Sequence, residues 1–510
     1  MNDIAISLKG VTKVFGETVA NRDVTMDVKR GEILALLGEN GSGKTTLMNM
    51  LSGIYYPDAG TISVDGNPVD IRSPKDAYEL GIGMVHQHFK LVDVFTAAEN
   101  MILGVETKER FDRKKVYADM NEICEKYGFD INPEQKVYDM SVSQKQTLEI
   151  VKVLYRGANI LILDEPTAVL TPQETEKLFY VIRNMKENGK SVIIITHKLH
   201  EVLAISDRVA ILRKGEYIDA IETKNATEAV LTEMMVGKKV ELNIERPEVK
   251  EKFKRLEIKH LNCVDADGIR VLKDINFDVY SGEILGIAGI SGNGQKELLE
   301  SIAGLQLVSP DSSVVYFEPK EQEESQLVGR TPKQIRDLGV HLSFVPEDRL
   351  GMGLVGSMGM SENMMLKNYG EAKGVFTDLK RPKALADQIK EDLEVVTPSL
   401  NTPVRKLSGG NVQKVLVGRE IAANPTVLMT AYAVRGLDIN TSYTIYHLLN
   451  EQKQNGVAVI YVGEDLDVLV ELCDRIVVLC GGRVNGILDG RTTTKEEIGL
   501  LMTNLKEEEN

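Results

Sequence analysis

The chain has 510 residues, a net charge of −15, 43% hydrophobic residues and 27% charged residues, which is ordinary for a globular protein of several domains. The acidic balance argues against broad binding to a nucleic-acid backbone, because that requires a basic face. No apolar run approaches the roughly 18 residues of a membrane helix, and the start lacks signal-peptide features. The four cysteines show no C-x-x-C spacing, so we expect a reduced, cytosolic protein without disulfides or zinc.

An apolar strand at residues 33–37 runs into a glycine-rich turn and then a helix. The turn, Gly38-Glu39-Asn40-Gly41-Ser42-Gly43-Lys44-Thr45, fits the phosphate-loop pattern G-x-x-x-x-G-K-[ST] at every constrained position. In such a loop, backbone N–H groups at a helix N-terminus surround phosphates. We expect Lys44 to reach the β- and γ-phosphates, Thr45 to bind Mg²⁺, and Thr46 to belong to the nucleotide site.

Phe15 precedes this loop and could stack on adenine, as aromatic rings do on bases. A phenylalanine of the hydrophobic core is the alternative interpretation.

Three further strand-like runs each lead into polar residues. Asp164 and Glu165 end the run at 160–163; Asp164 would hold Mg²⁺ and Glu165 would polarise the attacking water. Gln87 follows the run at 82–85 and could bind Mg²⁺ or water. His197 follows the run at 192–195 and could contact a γ-phosphate. Taken singly, each of these could be an ordinary surface or structural residue. Beside the phosphate loop they form a candidate hydrolytic set.

Between these strands, at about residues 92–139, the pattern becomes helical and amphipathic, which predicts a helical subdomain inserted into an α/β core. The lead-in Gly31-Glu32-Ile33-Leu34 then recurs as Gly282-Glu283-Ile284-Leu285. Later segments recur in the same order, which indicates two homologous domains. We expect a first domain at 1–245, a charged linker at 246–255 and a second domain at 256–505.

The second copy of the nucleotide motifs is damaged. Its loop, Gly289-Ile290-Ser291-Gly292-Asn293-Gly294-Gln295-Lys296, has lost the lysine and the hydroxyl. Gln295 removes a positive charge, and Lys296 would oppose a metal ion at contact distance. The residues that correspond to Asp164, Glu165, His197, Gln87 and Phe15 are Ala431, Tyr432, Glu464, Glu347 and Ala266.

Together, these motifs and their order resemble the ATP-binding cassette ATPases. The resemblance implies two tandem α/β cassettes, each with a mostly parallel core sheet, an inserted helical subdomain and an antiparallel β part. The duplicated form resembles the energising subunit of carbohydrate-uptake importers of the ribose and galactose class, closest to the nucleoside-uptake branch. In this family, each ATP lies between the phosphate loop of one domain and the signature of the other.

The second domain has a well-formed signature, Leu407-Ser408-Gly409-Gly410-Asn411, whereas the first has Met140-Ser141-Val142-Ser143-Gln144, in which both glycines are replaced. The losses therefore all fall on one composite site and spare the other. This sorting predicts that the two domains pair within one chain and form one hydrolytic site.

The resemblance also implies partners: integral membrane permease subunits, an extracellular solute-binding protein acting through them, and a position at the cytoplasmic face of the membrane. One alternative is a soluble double-cassette ATPase acting on ribosomes or DNA, but the acidic chain and the degenerate second site oppose it. Another is a non-catalytic ATP sensor, which Glu165 and His197 oppose. The sequence leaves open whether the solute is a nucleoside or a simple sugar.

Overall fold

The computed structural model describes residues 3–16, 18–86, 89–104, 112–167, 170–196, 198–237, 244–265, 268–290, 292–319, 323–337, 342–366 and 378–503. The chain divides into two compact units, Met1–Glu241 and Leu242–Asn510.

The first unit alternates strands and helices. Its strands are β1 (Ile4–Phe15), β2 (Thr18–Lys29), β3 (Ile33–Leu37), β4 (Ala59–Val64), β5 (Asn67–Val69), β6 (Ile82–Val85), β7 (Ile160–Asp164), β8 (Ser191–Ile195), β9 (Arg208–Arg213) and β10 (Glu216–Glu222). Its helices are α1 (Lys44–Leu51), α2 (Pro74–Glu79), α3 (Ala97–Ile102), α4 (Arg113–Tyr127), α5 (Val142–Tyr155), α6 (Pro172–Glu187), α7 (Leu199–Ile205) and α8 (Glu228–Val236).

A mostly parallel core sheet positions the candidate site. Its strand order is β10-β9-β3-β8-β7-β6, and only the β9–β10 pair is antiparallel. Every residue of β3, β7 and β8 is buried, as expected of parallel strands covered on both faces. A separate antiparallel sheet has the order β2-β1-β4-β5. The predicted α/β class, with a parallel core and an antiparallel part, is confirmed.

The predicted helical insertion is also present. Helices α3, α4 and α5 pack around a cluster of buried apolar side chains that includes Met101, Met120 and Leu148. The hydroxyl of Thr96 caps α3 and that of Ser141 caps α5, each by accepting the backbone N–H three residues on. The segment at residues 140–144 therefore begins a helix.

The second unit repeats this sequence of elements. Its strands are β11 (Lys254–Val264), β12 (Arg270–Tyr280), β13 (Ile284–Gly289), β14 (Ser313–Phe317), β15 (Glu324–Gln326), β16 (Leu342–Val345), β17 (Val427–Ala431), β18 (Ala458–Val462), β19 (Arg475–Cys480) and β20 (Arg483–Asp489). Its helices are α9 (Gln295–Ile302), α10 (Pro332–Asp337), α11 (Met360–Met365), α12 (Lys380–Asp392), α13 (Gly409–Ala422), α14 (Ile439–Gln454), α15 (Leu466–Leu472) and α16 (Lys495–Thr503).

The sheets of the two units have the same topology. The core order β16-β17-β18-β13-β19-β20 matches the first unit strand for strand, and the antiparallel order β12-β11-β14-β15 matches the smaller sheet. The duplication read from sequence is therefore a duplication of fold.

Near the start of the second unit, the Arg246 side chain is held by three backbone carbonyls. Nη1 of Arg246 donates to the carbonyls of Val470, Cys473 and Gly490 at 2.9, 2.7 and 2.9 Å. Ile244 is buried in the core of the same unit. These contacts attach the beginning of the charged segment 246–255 to the second unit.

Candidate nucleotide site

The phosphate loop of the first unit joins the end of β3 to the start of α1. Gly43, the N-cap of α1, has φ 94°, and a Cβ there would lie 2.4 Å from the carbonyl oxygen of Ala20. Only glycine fits this conformation and this contact. Within the described residues no side chain caps the helix, so its first N–H groups can bind a ligand. Asn40, Gly41 and Thr45 are exposed.

Two buried polar groups of the loop suit an anion. The Lys44 ammonium donates to the carbonyls of Gly38 and Glu39 at 2.6 and 3.1 Å, and burial lowers its pKa although Glu165 and Asp164 oppose the shift. The Ser42 hydroxyl is buried and has no hydrogen-bond partner among the residues that the structure describes. A phosphate would supply acceptors for both groups.

An acidic pair lies beside this loop at the end of β7. Asp164 is buried, and its pKa is raised to about 6, first by burial and then by the neighbouring charge of Glu165. Lys44 and a hydrogen bond from Thr45 act in the opposite direction. The structure thus brings Lys44, Thr45, Asp164 and Glu165 together. Thr45 and Asp164 offer hard oxygen ligands that fit Mg²⁺.

Glu165 has a backbone conformation that few residues adopt. Its φ is 48°, in the left-handed region, and its N–H donates to the carbonyl of Ile195 at the end of β8, at 2.8 Å. A non-glycine residue in this region costs about 1 kcal/mol or more, and such strain clusters at functional sites. This backbone conformation fixes the direction in which the chain leaves β7 at Glu165.

Of the three other predicted site residues, Gln87 and His197 lie outside the described residues. Phe15 is 43% exposed, so it is not a core residue. Its ring makes an edge contact with the exposed Tyr55, with 5.1 Å between ring centroids. Sequence reasoning missed Tyr55, whose only signal was a pair of tyrosines just beyond the phosphate-loop helix. The stacking of Phe15 on adenine stays a prediction.

The loop of the second unit keeps the backbone but not the charges. Gln295 takes the place of Lys44; it is buried, and its Nε2 donates to the carbonyl of Ile290 at 3.1 Å. The Lys296 side chain is 54% exposed, and its ammonium lies 3.9 Å from a Glu300 carboxylate oxygen. Tyr432, in the position of Glu165, has a φ of 50°. The damage is therefore in the side chains rather than in the chain path.

An arginine that sequence reasoning missed lies among the altered residues. Arg435 pairs with Glu347 at 2.5 Å and with Glu464 at 3.1 Å. It also lies 5.8 Å from the ring centroid of Tyr432, whose pKa is raised to about 12, mainly by burial. Arg435 thus balances the negative charge of the two acids. Its signal was a basic residue in the loop after β17.

The signature of the second unit begins helix α13. The Ser408 hydroxyl caps the helix and accepts from Nδ2 of Asn411 at 2.8 Å. Gly409 and Gly410 form the first turn, and Ser408 and Gly409 are exposed. Without side chains, these glycines leave the helix N-terminus open to an anion. In the first unit, Val142 and Ser143 occupy the same turn of α5.

A phosphate loop on a helix N-terminus, with an acidic pair at the end of a nearby strand, defines a P-loop nucleotide hydrolase. Residues 21–168 and 272–430, more than half of the chain, match the ABC transporter family. The chain belongs to this family and is an ATP-binding ATPase. No helix in the described part of the chain has the length and hydropathy to cross a membrane.

Several relatives match along their full length. The chain is 42% identical to the nucleoside import ATP-binding protein NupA of Lactococcus lactis, over 98% of both chains. It is 42% identical to the guanosine import ATP-binding protein NupO of Bacillus subtilis, over 99% of both. It is 37% identical to the ribose import ATP-binding protein RbsA 1 of Rubrobacter xylanophilus, over 98% of both.

The raised pKa of Asp164 predicts a pH dependence of stability. Because the pKa in the folded state, about 6, exceeds the ordinary value of 3.8 for an aspartate side chain, the folded protein binds this proton more tightly than the unfolded chain does. Its contribution is complete below the unfolded pKa and is lost as the pH rises through about 6. We expect the free energy of unfolding of the wild type, relative to Asp164→Asn, to fall between about pH 4 and pH 6.

Chemical denaturation without nucleotide or divalent cations measures this difference. The matched control is Asp27→Asn, at an exposed position of β2, which should follow the pH dependence of the wild type. If the curves for the wild type and Asp164→Asn run parallel, Asp164 is not perturbed in the free protein.

Proposed function

We propose that the chain is the ATP-hydrolysing subunit of an importer that brings a nucleoside across the cell membrane. The observation that carries the proposal is the segregation of side chains: the first unit holds Lys44, Thr45, Asp164 and Glu165 together, whereas the second has Gln295, Lys296, Ala431 and Tyr432. The preference for a nucleoside over a simple sugar rests on the names of two full-length relatives at 42% identity.

The hydrolytic site would be composite. The phosphate loop of the first unit supplies the cradle, and residues 408–411 of the second unit supply a glycine-rich helix N-terminus. Both surfaces suit the same anion: a helix N-terminus without a side-chain cap at Gly43, and an exposed glycine-rich helix N-terminus at Ser408. This pairing of the two cassettes within one chain accounts for the survival of a signature only in the unit whose own phosphate loop is damaged.

The chemistry would be in-line attack of water on the γ-phosphate of ATP. Glu165 holds and polarises the water, while Lys44 and the loop N–H groups stabilise the negative charge of the transition state. Mg²⁺, held by Thr45 and Asp164, would neutralise charge between the phosphates. Gln87 and His197 keep their proposed roles as ligand of water or metal and as contact of the γ-phosphate. Phe15 would stack on the adenine.

Coupling to transport requires membrane partners. We assign to the helical insertion, α3 to α5, the contact with a cytoplasmic loop of a permease, with an extracellular solute-binding protein delivering the substrate. The chain would then lie at the cytoplasmic face of the membrane. The alternative of a soluble ATPase acting on ribosomes or nucleic acid gains nothing from the relatives, which are named as import proteins.

Replacing the proposed water-positioning residue tests the active site. Glu165→Gln should lower steady-state ATP hydrolysis about 100-fold or more while ATP still binds, because the loss of a general base affects the chemical step. The matched variant Tyr432→Phe alters the corresponding position of the second unit and should leave turnover within about two-fold of the wild type. Comparable losses in both variants would contradict a single hydrolytic site.

The composite pairing makes a prediction about the two signature serines. Ser408 and Ser141 both cap a helix, so replacing either by arginine costs a similar cap, about 1 kcal/mol. We expect Ser408→Arg to abolish hydrolysis, because it blocks the glycine-rich turn, and Ser141→Arg to retain it. ATPase assays at matched folded concentration measure the difference. The reverse ranking would mean that the phosphate loop of the first unit does not use residues 408–411.

The solute is tested by uptake. Cells that lack the chain should regain uptake of labelled guanosine or uridine when they carry the wild type, and should not regain it with Glu165→Gln. Uptake of labelled ribose should be the same in all strains. If ribose uptake follows the chain instead, the substrate is a sugar and the nucleoside assignment is wrong.

A further inference from the structure

A polar cluster in the first unit joins Thr167 and Lys198 to the buried carboxylate of Glu201. The Thr167 hydroxyl donates to Oε2 of Glu201 at 2.5 Å, and the Lys198 ammonium lies 3.1 Å from Oε1 of the same carboxylate. Lys198 also donates to the carbonyl of Thr167 at 3.2 Å. Thr167 is 0% exposed and Glu201 is 4% exposed. Each oxygen of a buried carboxylate therefore has a partner, and the partners come from two different loops.

The cluster joins the two segments that carry the candidate catalytic residues. Thr167 follows Glu165 by two residues, and Lys198 directly follows His197 in the sequence. The segments are joined once more at their beginnings, where the Glu165 N–H donates to the carbonyl of Ile195 at 2.8 Å. One link is thus a backbone bond at the strand ends, and the other is a side-chain cluster three or so residues further on.

The second unit shows what changes when the site is degenerate. The positions of Thr167, Lys198 and Glu201 are held there by Val434, Asp465 and Val468. Valine cannot make the corresponding hydrogen bonds. The two loops are linked instead by the Arg435–Glu464 pair, which uses the side chain in the position of His197.

The second unit also shows that the backbone turn does not depend on this cluster. Tyr432 has a φ of 50° and donates its N–H to the carbonyl of Val462 at 2.9 Å, so the strained turn also forms where valines hold the positions of Thr167 and Glu201. The first unit therefore links its loops through Thr167, Lys198 and Glu201, which have no polar counterparts at positions 434 and 468 of the second unit.

We propose that Glu201 is a positioning residue for ATP hydrolysis, acting with Thr167 and Lys198. The buried carboxylate fixes the segment that carries Glu165 against the segment that carries His197, and so sets the direction of the Glu165 side chain. Hydrogen-bonded partners of this kind orient groups that touch the reactants. The inference rests on the proposed roles of Glu165 and His197.

Thr167→Val and Glu201→Gln in the full-length chain test this role, with its membrane partners present if hydrolysis requires them. Thr167→Val places the residue of the second unit at the matching position, with little change in volume. We expect kcat to fall about 10- to 100-fold in each variant, as for other supporting partners, while the Kd for ATP changes by less than about two-fold. Thr167→Ser, which restores a hydroxyl, should recover most of the loss.

The matched control is Glu32→Gln. Glu32 is also buried, at 6% exposure, and accepts from Nη1 of Arg208 at 3.1 Å, but it precedes β3 and so lies at the opposite edge of the sheet from the phosphate loop. We expect this variant to lower the temperature of unfolding while kcat per folded chain stays within about two-fold of the wild type.

Three results would overturn the inference: kcat unchanged in both folded variants, a raised Kd for ATP with kcat unchanged, or failure of Thr167→Ser to recover activity. If Glu201→Gln does not fold, Thr167→Val and Thr167→Ser decide alone. Glu165→Gln, assayed in parallel, distinguishes a failure of the proposed function from a failure of this inference alone. Hydrolysis retained there would remove the proposed role of Glu165, and with it the basis of the inference. Hydrolysis lost there but kept in Thr167→Val would remove the inference alone.

Discussion

The parallel register of β3, β8 and β7 is the constraint on which the site depends. Leu36 and Asp164 are both level with Ile195, so the three strands end at the same edge of the sheet. The phosphate loop leaves β3 at this edge, and the acidic pair leaves β7 there. Residues more than 100 positions apart in sequence therefore meet because the strands that precede them are aligned. Their charges, which perturb the pKa values of Lys44 and Asp164, are brought together by backbone hydrogen bonds.

The two units share this backbone framework, although their side chains at the site differ. They share strand order, a glycine N-cap with strongly positive φ before the first helix, and a left-handed residue directly after β7 or β17. What differs is which side chains neutralise one another. In the first unit, an ammonium and two carboxylates lie around an open helix N-terminus; in the second, Arg435 lies between two glutamates. A stable backbone thus permits the exchange of a ligand site for an internal ion-pair network.

The sequence predicted the α/β class, the duplication and the residues of the phosphate loop, because each of these is encoded in contiguous stretches or in a fixed order of stretches. It did not predict contacts between distant side chains. Arg435 meets Glu347 across 88 positions, Thr167 meets Glu201 across 34, and Arg246 reaches Gly490 across 244. No local pattern marks such pairs, because either residue alone is an ordinary loop or helix residue. The boundary near residue 245 has the same difficulty, since tertiary contacts decide to which unit a charged segment belongs.

The two units differ in how the charges of their acidic side chains are neutralised. In the first, burial and mutual repulsion raise the pKa of Asp164, so the ionised acidic pair is held at a cost that a bound cation would offset. In the second, Arg435 already supplies a cation to Glu347 and Glu464. The three side chains are 38–53% exposed, so solvent screens the network and its contribution to stability is small. A cation would therefore offset an uncompensated negative charge in the first unit, whereas the corresponding acids of the second unit already have a cationic partner.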